Sequence, residues 1–175
     1  MGTEFRSEAP KAIVLMGVAG SGKSFVGEAL ARNLGWRFIE GDALHPPANV
    51  ARMAAGQPLT DEDRQGWLDA IGQDIATVVA QGQGVVATCS ALKRIYRDRL
   101  RGWCEGILFV HVAIDKETAR RRVGSRKGHF MPASLVDSQF ATLEPPATGE
   151  PALTLDGTLP LKDILARITT ALGAS

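Results

Sequence analysis

The chain has little cysteine, few aromatics and almost no excess charge. Only Cys89 and Cys104 are present among 175 residues. That excludes a disulfide framework, and two isolated thiols in a chain of this size read as reduced and cytoplasmic. Aromatics make up 6% and the formal net charge is +1. Both argue against a nucleic-acid groove and against an acidic disordered protein. No apolar run approaches the ~20 residues of a membrane span, so no membrane partner is expected. The first ten residues, MGTEFRSEAP, lack the apolar core of a signal peptide, and GTEF reads as a cloning remnant. The fold reading therefore starts at residue 11. There is no internal repeat and no low-complexity tract. What remains is 45% hydrophobic residues, enough for one compact domain over residues 11–175.

Short apolar runs alternate with longer helical patterns. Strands are expected at 12–16, 36–40, 84–88, 107–114 and 152–156. Helices are expected at 23–33, 61–80, 93–101, 115–123 and 134–141, with a last one carrying Leu161, Ile164, Leu165, Ile168 and Leu172. In the first helix Phe25, Val26, Ala29 and Leu30 share a side. Thr60-Asp61-Glu62-Asp63 is acidic and cap-like at the start of the 61–80 helix. HPPANV (45–50) and TLEPPATGEP (142–151) read as linker-like. Alternating strands and helices predict an α/β fold, a five-stranded parallel sheet flanked by helices on both faces.

The strongest motif is Gly17-Val18-Ala19-Gly20-Ser21-Gly22-Lys23-Ser24, which matches G-x-x-x-x-G-K-[ST]. An apolar strand precedes it and a helix pattern follows, as a P-loop requires. Glycines let the backbone wrap phosphate with its N–H groups turned inward. The new helix adds its positive end. Lys23 can reach the β- and γ-phosphates, and the Ser24 hydroxyl can bind Mg²⁺. The bland reading is a glycine-rich turn that binds nothing. A GTPase switch would need an NKxD, which is absent. Asp63-Arg64-Gln65-Gly66 fits DxxG only formally, because it opens an amphipathic helix. A motor-type ATPase would end an apolar strand in acids, whereas the third strand ends in Cys89-Ser90.

The acceptor side is sought beyond the carboxyl ends of the strands. The second strand ends at Gly41-Asp42. There a carboxylate can orient an acceptor hydroxyl, take its proton or hold metal-bound water. The competing reading of Asp42 is an Asx-turn or a helix cap. His45 either bonds a polyol hydroxyl or caps a turn before Pro46-Pro47. Arg52 and Arg64 suit a carboxylate by their planar forks, though each alone fits a solvated helix position. In the basic cluster after the third strand, Lys93 and Arg97 lie nearest the strand end. RRRVGSRKGHFMP (120–132) holds Arg122 and Arg126 among mobile glycines. It can serve as a lid over ATP, placed here at 120–134, or be a surface basic patch. Cys89 and Cys104 read as small packing residues.

GVAGSGKS, GDALHPPANVARMAAGQPLTDEDRQGWL, CSALKRIYRDRLR and RKGHFMPASLVDSQFATLEPP, in that order, resemble the gluconate kinases (gluconokinases), small P-loop kinases related in fold to shikimate and adenylate kinases. The likeness runs from about residue 12 to 146, and the tail adds little. The resemblance implies ATP- and Mg²⁺-dependent phosphorylation of D-gluconate at its 6-hydroxyl. It implies Gly17, Gly20, Ser21, Gly22, Lys23 and Ser24 on ATP, with Ser24 and Asp42 near the metal and Asp42 beside the acceptor hydroxyl. It puts His45, Arg52, Arg64, Lys93 and Arg97 along the sugar-acid pocket. Arg122 would stand on the nucleotide side, and Arg126 would be the lid arginine nearing the phosphates. It also implies a homodimer. Glu40 stands where the family often has Asp. Two rival readings are a same-fold kinase with another acceptor, such as shikimate or a nucleoside monophosphate, and a non-catalytic ATP-binding regulatory domain.

Overall fold

The computed structural model describes residues 9–125 and 134–173. Five parallel strands form one sheet: β1 (Ala12–Met16), β2 (Arg37–Glu40), β3 (Val85–Thr88), β4 (Ile107–Ala113) and β5 (Ala152–Asp156), in the order β2-β3-β1-β4-β5. The central strand reads AIVLM without alternation because helices cover both faces, and all five of its residues are buried. Its side chains still alternate between two cores. Ala12, Val14 and Met16 join Trp67, Leu68, Ile71 and Ile75 of α3 (Asp61–Ala80) and Tyr96 and Leu100 of α4 (Arg94–Trp103). Ile13 and Leu15 join Val26 and Leu30 of α1 (Lys23–Leu34) and Ile164 and Ile168 of α7 (Leu161–Ala171).

The cap expected before α3 is present. The Thr60 side chain accepts from the Asp63 N–H, and the Asp63 side chain accepts from the Thr60 N–H. This reciprocal capping box pins the helix start. Two expectations need correction. Phe25 does not share the buried side of α1 and is 66% exposed. HPPANV is not a linker: a 3₁₀ turn (Gly41–Leu44) leads to α2 (Pro47–Ala54), with Pro47 in the first helical position. A proline lacks an N–H, and that position needs none, so the pair that reads as a breaker starts a helix instead. Met53 of α2 packs with Leu59 and Leu135.

Gly41 sets where the 3₁₀ turn can lie. A Cβ on it would sit 1.9 Å from the Thr88 carbonyl oxygen. Its N–H donates to Thr88 Oγ1 at 3.0 Å, and Thr88 Oγ1 donates to Glu40 Oε1 at 2.7 Å. The end of β2 is thus held tightly against β3. A Gly41→Ala chain is expected to lose about 1–3 kcal/mol of stability, the cost of overpacking against an immovable backbone atom. Urea denaturation of the two proteins measures it.

Candidate active site

The phosphate loop joins β1 to α1, and its glycines have conformations that other residues avoid: φ is +147° at Gly17, +84° at Gly20 and +92° at Gly22. No side chain caps α1. Its first N–H groups are therefore available to an anion. The Lys23 ammonium donates to the Gly17 and Val18 carbonyls, both at 3.0 Å. Ser21 is buried, and among the described residues its Oγ has no partner. The loop leans on three other segments. Gly17 N–H donates to the Ser90 carbonyl beyond β3 (3.2 Å). Arg122 of α5 (Lys116–Ser125) donates to the Gly20 carbonyl (3.1 Å). Ala19 N–H donates to Gln139 Oε1 of α6 (Ser134–Thr142) at 2.6 Å. Val18 and Ala19 also pack with Ala119, Val123 and Val136.

One cavity opens beside this loop. Gly20, Gly22, Lys23 and Ser24 of the loop line it together with Asp42 and His45 and with Arg64 and Trp67 of α3. Asp42 lies in the 3₁₀ turn. The cap of α2 is Pro46, with no side-chain hydrogen bond, so the Asp42 side chain does not serve as that cap. His45 stacks on Trp67, with ring centroids 3.9 Å apart and planes 15° from parallel. Trp67 is fixed in turn by donating its indole N–H to the Gly41 carbonyl (2.8 Å). Arg64 donates to Tyr96 Oη at 2.8 Å. The Tyr96 hydroxyl donates to Asp61, which also accepts from Lys93 at 3.0 Å. Burial, helped by the bond to Asp61, pushes the Tyr96 hydroxyl up to about 12. Tyr96 therefore stays protonated as a link in this chain.

The other expected pocket residues stand elsewhere. Arg52 is held outside the cavity lining by Asp63 (2.9 Å). Lys93 is engaged with Asp61. Arg97 is the clearest departure. It is 1% exposed and faces away from the cavity, where it makes a two-pronged pair with Glu150 (2.6 and 3.2 Å) and donates to the carbonyls of Ala91 (2.8 Å) and Leu92 (3.3 Å). It supports the wall from behind, since Ser90 and Leu92 line the cavity. Ala91 between them has φ +45°, a strained value for a residue with a Cβ. Arg126, and most of the expected lid, lie outside the described residues. Sequence reasoning gave no site role to Gln139, Ser90, Trp67 or Tyr96. Gln139 meets Ala19 across 120 positions, and no local pattern announces such a contact.

Burial brings His45 down to about 4. The Asp42 carboxylate opposes this and Arg64 assists it. The ring is therefore neutral at pH 7. The unfolded chain takes up this proton near 6.5, so the burial of His45 favours the fold fully above that value. Its contribution drains away as the pH falls toward 4. An NMR titration is expected to find His45 still neutral at pH 5, and a midpoint near 6.5 would contradict its burial.

A phosphate loop at the carboxyl edge of a parallel sheet, sharing a cavity with an acid and an arginine, defines a P-loop kinase for small molecules. A family model described as an AAA domain matches residues 13–146. The gluconokinase of Gluconobacter oxydans (strain 621H) is 52% identical over 148 residues, covering 85% of this chain and 83% of its own. The crystal structure of a gluconokinase from Sinorhizobium meliloti 1021 superposes with a TM-score of 0.83 at 46% identity, covering 95% of this chain and 93% of that one. An unliganded sugar kinase from Janibacter sp. HTCC2649 gives 0.88 at 41% identity, covering 94% and 95%. The chain belongs to the gluconokinase family, and ATP use comes with it.

Proposed function

We propose that this chain, acting as one domain over residues 11–175, transfers the ATP γ-phosphoryl group to the 6-hydroxyl of D-gluconate, giving 6-phospho-D-gluconate and ADP. The observation that carries this reading is the single cavity lined by Lys23, Ser24, Asp42, His45 and Arg64. Phosphoryl transfer asks for alignment and charge neutralisation more than for a strong nucleophile. Lys23 would leave the loop carbonyls for the β- and γ-phosphate oxygens, joined by the N–H groups of Gly20, Gly22 and Ser24. Asp42 would hold the acceptor hydroxyl and accept its proton. Arg122 stays on the nucleotide side, and Arg126 keeps the role of lid arginine that the resemblance suggests.

The donor set fits Mg²⁺. Ser24 and Asp42 give a hydroxyl and a carboxylate on the same cavity, and Mg²⁺ typically takes one or two protein oxygens beside phosphate and water. When bound, the ion would neutralise charge on the β- and γ-phosphates.

Gluconate is an anion that must approach another anion. Besides Lys23, Arg64 is the cation among the described cavity-lining residues, so we assign it the gluconate carboxylate. Tyr96, Asp61 and Lys93 hold it from behind. Arg64→Met is expected to raise the KM for gluconate roughly tenfold to a hundredfold, the worth of one hydrogen bond to a charged group. The KM for ATP should hardly move. Steady-state kinetics with each substrate varied separately tests this. An acceptor panel tests the function itself: turnover should be fastest on gluconate, and faster turnover on shikimate or AMP would overturn it.

A further inference from the structure

Asn49 is 4% exposed and makes two contacts through one nitrogen. Its Nδ2 lies 2.9 Å from the Asp63 carbonyl oxygen and 3.3 Å from His45 Nδ1. The carbonyl can only accept, so the atom facing it must be the amide nitrogen, and the amide cannot be flipped. The same NH₂ group then directs its second hydrogen to His45. A ring nitrogen that accepts carries no proton, so the proton of the neutral imidazole sits on Nε2. The Trp67 ring fixes the plane of His45 from one face, and Trp67 is itself held by the Gly41 carbonyl. Plane and tautomer are therefore set by two separate contacts, Trp67 on the ring face and Asn49 on Nδ1.

We propose that Asn49 is a positioning residue that locks His45 as the Nε2–H tautomer, so that the ring offers the acceptor cavity a neutral hydrogen-bond donor for an oxygen of a polyhydroxy acid. This rests on reading the cavity as the acceptor pocket. It gives the two polar residues of the GDALH stretch opposite tasks. Asp42 accepts a hydrogen, and His45 donates one. A neutral donor suits a hydroxyl oxygen and adds no charge beside Arg64. His45 is thereby excluded as the proton acceptor of the reaction, because its basic nitrogen is occupied by Asn49.

The test uses the full-length protein with ¹⁵N-labelled histidine. The chain has three histidines, and His45→Gln assigns the signal. Long-range proton–nitrogen correlation at pH 7 is expected to find His45 Nδ1 unprotonated and Nε2 protonated, and the reverse pattern overturns the inference. Saturating gluconate should shift the Nε2 resonance. If it does not, while gluconate is still phosphorylated, the donor role fails and the acceptor reading survives. If no gluconate is phosphorylated, the acceptor reading itself has failed. Asn49→Asp replaces the donor with an acceptor and should draw the proton to Nδ1. The KM for gluconate should then rise about fivefold to tenfold, the loss of one hydrogen bond, with the KM for ATP unchanged. An Asn49→Asp protein with the wild-type tautomer and wild-type KM would overturn the proposal. Should that variant not fold, the wild-type spectrum decides alone.

Discussion

Asp42→Ala is expected to lower gluconate phosphorylation roughly 10²- to 10⁴-fold, the usual worth of a positioned proton acceptor, while leaving the binding of metal-free ATP nearly intact. The separation follows from where the residue sits. In the proposed reading the groups that hold the nucleotide belong to the phosphate loop and α1, whereas Asp42 belongs to the 3₁₀ turn after β2. Removing its side chain costs the fold little, because α2 starts without any side-chain cap. Asp42→Asn sharpens the test. The amide keeps the size and one acceptor oxygen but takes no proton, so it should be nearly as impaired as alanine. A coupled assay of ADP release gives the turnover, and titration with a fluorescent ATP analogue gives the binding. Full turnover in Asp42→Asn would reduce the residue to a turn former.

The second large effect concerns stability. Arg97→Met is expected to cost about 3–5 kcal/mol, because breaking a buried ion pair strands the partner's charge. For a chain of this size the melting temperature should drop by roughly 6–20 °C. The stranded partner is Glu150, whose side chain is fully buried. Burial alone would raise its carboxyl, but hydrogen bonds from Arg97 and Arg101 outweigh that and bring it down to about 2. Its folded value lies below the unfolded 4.5, so the pair contributes fully above about pH 4.5, and that contribution is lost as the pH falls toward 2. Calorimetry at pH 7 and pH 3 should therefore find the gap between wild type and Arg97→Met narrower at the lower pH. Were Arg97 a gluconate ligand instead, its replacement would raise the KM for gluconate and leave the melting temperature alone. The Arg97→Met/Glu150→Leu double variant should recover part of the loss, since a buried pair often exchanges for apolar groups at little cost. Arg101, which also bonds Glu150 at 3.0 Å, keeps that recovery incomplete.

What could be read from the sequence was what is local. The phosphate loop needs eight consecutive residues, and its strand and helix flank it directly. The α3 stripe follows from a 3.6-residue period, and Trp67, Leu68, Ile71, Ile75 and Val78 are all buried. Asp42 could be nominated because strand ends share one edge of the sheet, and His45 and Arg64 by residue type and by the resemblance; all three line the cavity. The errors concern what a residue meets at a distance. Arg97 and Lys93 are cations four apart near a strand end, and sequence gives them the same prospects. Only the fold reveals that one turns inward to an acid 53 positions away and the other outward to Asp61. Asn49 could not be found by type, since its importance lies in having Asp63 on one side and His45 on the other.

Glu150 also bears on how this chain may be shortened. The family model stops at residue 146, and a gene designer would be tempted to cut there. Such a chain would keep every side chain that lines the cavity and still be badly made. It would bury the Arg97 guanidinium without its counter-charge, strip β4 of its outer neighbour β5, and expose the sheet face that Ile164 and Ile168 cover. The stretch that looked like spare linker holds the acid that keeps the strained turn behind the cavity in place. The cavity lining is all written before residue 146, and the segment after it keeps that lining in shape.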